Sequence, residues 1–251
     1  MRWPGCATCL LRPYAHRESG GRFCRQPGQI RKEAAVTISR RVVPAPTYPL
    51  RATMRIYGDS ISGNCLKVKW TADHLGLPYE WIEIDIMNGG SRTPDYLAMN
   101  PAGQVPLVRF DDGRTLAQSN AIILYLAAAS PLIPDDPFDR AKMMEWLFWE
   151  QYSHEPYVAV ARFQVRYLGK AVEDLEPRII ERGKAALALL ENAVSGRGFL
   201  VGEALSLADI ALIAYTRVAP EGGLSLDPYP AIRNWIERVE VALGLERPAA
   251  A

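Results

Sequence analysis

The chain has 251 residues, enough for two compact domains, and its 49% hydrophobic and 23% charged residues give the balance of a soluble globular protein with a sizeable core. No apolar run nears the roughly 18 to 20 residues that span a bilayer, "AIILYLAAAS" being about half that length, so no membrane partner is expected. The net charge of +1 conceals an asymmetry: residues 1–53 hold ten Lys/Arg and two acids, leaving 19 Lys/Arg against 26 acids for the rest, an acidic balance that argues against nucleic acid.

Residues 1–53 are rich in Arg, Pro and Gly, lack sustained periodicity and include "PAPTYP". Ordering them would bury too little to offset the entropy cost, which predicts a disordered leader. Two other readings fit the same residues: a transit peptide, against which the scattered prolines count, or translation that starts at Met54. Cys6, Cys9 and Cys24 lie in this stretch, and with His16 they have an irregular version of zinc-site spacing, so no metal is expected. Cys65 stands alone in the remainder, where one cysteine forms no internal bridge, which fits a reducing cytoplasm.

From Met54 the pattern is regular. "MRIYGD" reads as a strand, and "NCLKVKWTADHLG" as an amphipathic helix carrying Leu66, Val68, Trp70, Ala72 and Leu75 and ended by Gly76. "YEWIEIDI" alternates Trp81, Glu83 and Asp85 with Ile82, Ile84 and Ile86 as a half-buried strand, and Pro94 marks a helix start. "QVPLVRF" and "RTLAQ" flank "DDG", a hairpin with a two-residue turn containing Asp-Gly, before a helix that starts at Ser119. The order βαβα then ββα predicts a mixed four-stranded sheet flanked by helices over residues 54–129. A stiff proline-rich linker follows over 130–138. Strand signals then vanish, and amphipathic segments at 139–168, 176–195, 206–218 and 229–243 predict an all-helical half over 139–245, with a tail over 246–251.

Four short motifs occur in one order: "SGNC" at the first strand–helix junction, "NPAGQVPLV" before the hairpin, "QSNAI" at the third helix and "SLADI" in the helical half. Together they make residues 54–245 resemble the cytosolic glutathione transferase family, its bacterial-type members with a serine-type active site. The resemblance implies an α/β thioredoxin-like N-terminal domain plus an all-α C-terminal helical domain, with glutathione as cosubstrate. It implies a cytoplasmic homodimer serving detoxification, which conjugates the glutathione thiolate to small hydrophobic electrophiles. A glutathione-dependent disulfide reductase or peroxidase and a non-catalytic glutathione-transferase-like binding module are the alternatives.

The same resemblance assigns site residues. Gln104, Val105 and Pro106 would meet the ligand backbone, a cis Val105–Pro106 bond turning the Val105 N–H and C=O outward as an added strand requires. Gln118 and Ser119 would receive the γ-glutamyl group at a helix N-terminus that Ser119 caps. Gln118 stands where the family commonly has an acid, so the contact with the glutathione amine loses its charge-assisted part, about 1 kcal/mol. Ser206 and Asp209 form a structural capping box. The aromatic stretch "WLFWEQYSHEPYVAV" reads as core or subunit interface, and by resemblance also lines the hydrophobic substrate pocket with Tyr152 and Tyr157. His154 reads as a hydrogen-bonded structural residue, and Pro156 as a kink.

Chemistry at the first junction must lower a thiol pKa from about 8.5 by about two units, roughly 2.7 kcal/mol. A helix N-terminus supplies about 0.3 to 1 kcal/mol, and a hydrogen bond to the anion about 1.5 to 3. Ser62, which matches the activating serine of the serine-type branches, is the expected donor, reaching the ligand beside a flexible Gly63. Asn64 is the runner-up, since an asparagine faces the sulfur in one branch. Cys65 reads as a buried small apolar residue, and Ser60 lies too near the strand. A chain that begins at Met54 is expected to fold and to keep full turnover. Its thermal midpoint should match that of the 251-residue chain within a few degrees, and a larger fall would show that residues 1–53 pack on the body.

Overall fold

Met54–Gly58 (β1) turns Met54, Ile56 and Gly58 inward and pairs on both sides. Its parallel neighbour is Tyr79–Glu83 (β2), and its antiparallel neighbour is Leu107–Phe110 (β3), with Ile56 opposite Trp81 and Val108. Thr115–Ala117 (β4) pairs antiparallel with β3, giving the order β2-β1-β3-β4. These relations come from a computed structural model that describes residues 54–246. All readings of residues 1–53, including the cysteine–histidine cluster, lie outside the described residues.

Three helices belong to the sheet: Gly63–His74 (α1), Pro94–Met99 (α2) and Ser119–Leu126 (α3). Five more follow: Pro137–Trp149 (α4), Glu155–Arg166 (α5), Pro177–Val194 (α6), Leu207–Thr216 (α7) and Pro230–Leu243 (α8). The mixed sheet and the helical half are those expected from the sequence. α4 begins at Pro137, two residues before the expected 139, because the Asp136 carboxylate accepts the N–H groups of Phe138 and Asp139 at 2.9 Å each. Proline at the first helical position sacrifices no intrahelical bond.

Two local expectations are corrected. The β3–β4 loop has three residues, Asp111 to Gly113, since Phe110 N–H still bonds Arg114 C=O and Gly113 takes φ +84°. This is the type I turn with a left-handed third residue that three-residue hairpins favour. At α3 the capping position is Gln118, not Ser119. Gln118 has φ +70°, the one positive φ outside glycine among the described residues, and Ser119 is already helical.

All ten residues of α7 are buried, and it packs on α1, α3, α4, α5 and α8, so both halves share one core around it. Its start is fixed by Asp209. The carboxylate accepts Ser206 N–H at 3.0 Å and the Ser206 hydroxyl at 2.9 Å on Oδ2, and Leu200 N–H and the Trp235 indole N–H at 2.9 Å each on Oδ1. The serine hydroxyl thus donates to the acid, and α8 is recruited through Trp235. Asp209→Ala should lower stability by at least about 3 kcal/mol, because several buried donors lose their acceptor, against about 1 kcal/mol for Ser206→Ala. Urea unfolding midpoints of the two variants and the parent measure the difference. Equal, small losses would mean that the carboxylate is not the anchor.

Candidate active site

β1 ends in a turn that the helical half holds in place. Asp59 Oδ1 accepts the N–H groups of Ile61 (2.9 Å) and Ser62 (3.2 Å), and the Tyr167 hydroxyl donates to the same carboxylate at 3.1 Å. Arg162 of α5 donates from Nη1 to the Ile61 carbonyl at 2.8 Å, while its Nε is paired with Glu221 at 2.8 Å. A turn fixed by charged and backbone bonds from both sides presents α1 in one orientation.

Ser62 occupies the N-cap of α1. Gly63 follows, and a Cβ there would lie 2.7 Å from the Tyr215 ring, so its role is to let that ring close over the helix end rather than to supply flexibility. The Tyr215 oxygen accepts the Asn64 N–H at 3.3 Å. Burial pushes the Tyr215 phenol up, opposed by the Ser62 hydroxyl and that N–H, so the ring stays protonated. Cys65 is fully buried, its Sγ accepting Asp59 N–H at 3.4 Å, and burial pushes its thiol up to about 12. It behaves as the small apolar residue expected.

Behind this first turn lies a polar cluster that the sequence did not reveal. Lys67, which is not among the apolar residues that mark α1 as amphipathic, is sealed from solvent and bonds Glu150 Oε1 and Asn64 Oδ1 at 2.8 Å each. Asn64 Oδ1 also accepts the Ser119 hydroxyl at 3.1 Å, and its Nδ2 donates to Glu155 at 3.3 Å. Asn120 and Gln151 donate to Glu150 Oε2 at 3.1 and 2.8 Å. The run Glu150–His154 between α4 and α5 is a π-helical turn, in which Glu155 N–H reaches back to the Glu150 carbonyl. Pro156 lacks the N–H that would continue the α pattern, so the expected kink takes this form. Burial raises the Glu155 carboxyl, reinforced by Glu150 and opposed by Lys67 and Asn64.

Ser62, Asn64, Gln104, Val105, Pro106, Gln118 and Ser119 all line one cleft of about 640 Å³. The Val105–Pro106 bond is cis, and Val105 lies ahead of the β3 ladder, which begins at Leu107. The Gln104 carbonyl is held by the Tyr96 hydroxyl and the Asn100 amide at 2.8 Å each. Tyr152 and Tyr157 are not among the lining residues: Tyr152 is 84% exposed and Tyr157 half-buried. Ile86, Met87, Gln151, Glu155 and Phe163 also line the cleft. The signal for two of these was the polar "EQ" and "HE" interruption in an otherwise aromatic helix. For Phe163, two turns beyond Pro156, none was available.

A cis-proline loop facing a helix N-terminus across such a sheet, with an all-helical half closing the other side, defines a two-domain protein with a thioredoxin-like thiol-binding domain. Residues 61–129 match the glutathione S-transferase N-terminal domain, and residues 150–241 the glutathione S-transferase C-terminal domain. The chain is 47% identical to a glutathione S-transferase from Pseudomonas fluorescens of known crystal structure, with a TM-score of 0.72 over 74% of this chain and 94% of that one. It is 26% identical to a glutathione transferase homologue from Drosophila mojavensis crystallised with bound glutathione (TM-score 0.68, covering 75% of this chain and 88% of that one). It is 29% identical to the disulfide-bond oxidoreductase YfcG of Escherichia coli, over 69% of this chain and 84% of that protein. The chain belongs to the glutathione S-transferase family, whose cosubstrate is glutathione.

His154 yields a pH prediction. The Thr216 hydroxyl donates to the Leu212 carbonyl at 2.6 Å, so His154 Nε2, 3.0 Å from that oxygen, must carry the proton, which leaves buried Nδ1 as an unpartnered acceptor. Burial lowers the ring's pKa to about 4. The folded value lies below the unfolded one, so this contribution is intact above about pH 6.5 and is lost as pH falls towards 4, roughly 3 kcal/mol in all. Urea midpoints of the parent should fall over that window. His154→Gln, which keeps the donor to Thr216, should lose less stability across it, and parallel curves would assign the acid sensitivity elsewhere.

Proposed function

We propose that the protein is a glutathione transferase enzyme that binds glutathione in the cleft and conjugates its thiolate to small hydrophobic electrophiles, with Ser62 donating to the sulfur. The observation that carries this reading is the contrast at the start of α1. Ser62 caps the helix on the cleft wall, whereas Cys65, three residues on and the one cysteine among the described residues, is sealed and held protonated. A nucleophilic sulfur in this cleft must then come with the ligand. Val105 offers strand-like pairing to a peptide, and the N-terminal N–H groups of α3 at Ser119 suit a carboxylate. Ile86, Met87 and Phe163 supply the apolar side for the second substrate. Tyr152, exposed on the same helical run as Phe148, belongs in this reading to the face of a homodimer rather than to the pocket.

Glutathione-dependent disulfide reduction is the second reading, favoured by Asn64 on the cleft wall and by the likeness to YfcG. It ranks behind because the Asn64 amide is already engaged by Lys67, Ser119 and Glu155. A binding-only module would retain immobilised glutathione yet turn over no electrophile. The deciding experiment titrates the thiolate absorbance of bound glutathione. Ser62→Ala should raise the thiol pKa by about one to two units, matching a lost hydrogen bond to an anion, and slow conjugation at pH 6.5 while affinity changes little. If Asn64→Ala produces that shift and Ser62→Ala does not, the amide is the activator and the reductase reading prevails.

A further inference from the structure

Arg162 is buried, 6% exposed, yet it does not line the cleft. Its guanidinium spans two partners: Nε pairs with Glu221 at 2.8 Å, and Nη1 donates to the Ile61 carbonyl at 2.8 Å. The first partner is set by close packing. A Cβ at Gly222 would lie 2.6 Å from the Arg162 backbone nitrogen, so the short helical turn Ala219–Gly222 presses on the α5 backbone and brings Glu221 beside the guanidinium. Arg166 is a second cation near Glu221, at 3.8 Å. The other partner has no donor within α1, because the Ile61 carbonyl stands one residue ahead of the Ser62 N-cap. The carbonyl of Ile61 and the N–H of Ser62 are the two ends of one planar peptide unit. Arg162 holds the first end. Asp59 holds the second, the Ser62 N–H donating to its Oδ1 at 3.2 Å and its main-chain carbonyl at 3.1 Å, and the Tyr167 hydroxyl fixes that carboxylate in turn. The Ser62 carbonyl is committed to the Cys65 and Leu66 N–H groups at 3.0 and 2.9 Å. With the peptide units on both sides of Ser62 held, the direction of its Cα–Cβ bond is set, and only the χ1 torsion is left to the hydroxyl.

We propose that Arg162 is a positioning residue: by holding the Ile61–Ser62 peptide from the helical half, it keeps the Ser62 hydroxyl directed to the sulfur of bound glutathione. The inference rests on the reading of Ser62 as the donor to that sulfur, and adds the residue on which the donor depends. Two features separate positioning from a direct effect of charge. The guanidinium is outside the cleft lining and is paired with Glu221, so it offers a thiolate little net field. Its planar fork also fits two acceptors at a fixed spacing, which the point charge of a lysine ammonium does not reproduce.

The test titrates the thiolate absorbance of glutathione bound to the full chain and to Arg162→Lys, each with Ser62 and with Ser62→Ala. Arg162→Lys keeps the charge beside Glu221 but releases the carbonyl. It should raise the thiol pKa by about half a unit to one unit, less than Ser62→Ala does, because the hydroxyl is displaced and not removed. From a parent value of about 6.5, the thiolate fraction at pH 6.5, and conjugation with it, falls about two- to fivefold and recovers at pH 9, while glutathione affinity stays level. In the Ser62→Ala background the same substitution should shift nothing. A shift that persists there assigns the effect to charge at the sulfur and overturns the proposal, as does the absence of a shift when Ser62 is present. Tyr167→Phe removes one hydroxyl and loosens the other end of the peptide through Asp59. It should give a smaller rise that also vanishes with Ser62→Ala, and it decides by the same criteria where Arg162→Lys does not fold. If Ser62→Ala itself leaves the pKa unchanged, the reading of Ser62 as donor fails and this inference fails with it.

Discussion

The arrangement depends on an ion pair that water does not reach. Lys67 and Glu150 meet at 2.8 Å with both side chains 0% exposed, one on the first helix of the sheet domain and one on the π turn of the helical half. Removing two ions from water costs several kcal/mol each, and their attraction repays this only when the remaining donors and acceptors are also met. Here they are: Asn64 takes a second Lys67 proton, and Asn120 and Gln151 occupy the other Glu150 oxygen. Such a pair adds little net stability, but breaking it by loss of one partner costs about 3 to 5 kcal/mol. Its value lies in geometry, because any slip of one half against the other would strand a charge.

That constraint passes directly to the cleft. Lysine only donates, so the Asn64 carbonyl oxygen must face Lys67, where it also receives the Ser119 hydroxyl. The amide nitrogen is thereby turned to Glu155. One buried cation thus sets an asparagine orientation that would otherwise be ambiguous and ties the N-termini of α1 and α3 together. The loop ahead of α1 is held separately by Asp59, Arg162 and Tyr167, again with partners from both halves. The cleft wall around Ser62, Asn64 and Ser119 is therefore assembled by the helical half as much as by the sheet domain.

Much of the fold was legible because it rests on local rules. Alternation gave the strands, Gly76 ended α1, and Pro94 and Pro137 stand at the first helical positions. The cleft residues from Ser62 to Ser119 were legible through short motifs whose spacing the topology preserves. What escaped has a common cause. Lys67 is buried through residues far along the chain, its ammonium on Glu150 of the π turn and near the Tyr215 ring of α7, a tertiary fact without a local signature. Tyr152 and Tyr157, assigned to the pocket by resemblance alone, are absent from the cleft lining, where Gln151 in the π turn and Glu155 just after it stand instead. Gly63 shows the same limit: it read as flexible, and the neighbour that demands glycine lies 152 residues away at Tyr215.

On the proposed reading, the charges also account for a hydroxyl, rather than a second cation, at the sulfur position. Lys67 is spent on Glu150, so it contributes little net field at the mouth of α1. What remains is the partial positive charge of the helix N-terminus, worth about 0.3 to 1 kcal/mol to an anion, and the neutral donors at the first turn. A neutral hydroxyl strengthens its hydrogen bond as negative charge builds on sulfur and weakens it as the carbon–sulfur bond forms. A fixed cation would stabilise the ground-state thiolate so strongly that its nucleophilicity suffered, since reactivity falls with thiol pKa. The same reasoning accounts for the silence of Cys65. Buried beyond the cap, its thiol is favoured towards the anion only by the Asp59 N–H at 3.4 Å and the Ser62 hydroxyl, and burial outweighs both and denies it a charge.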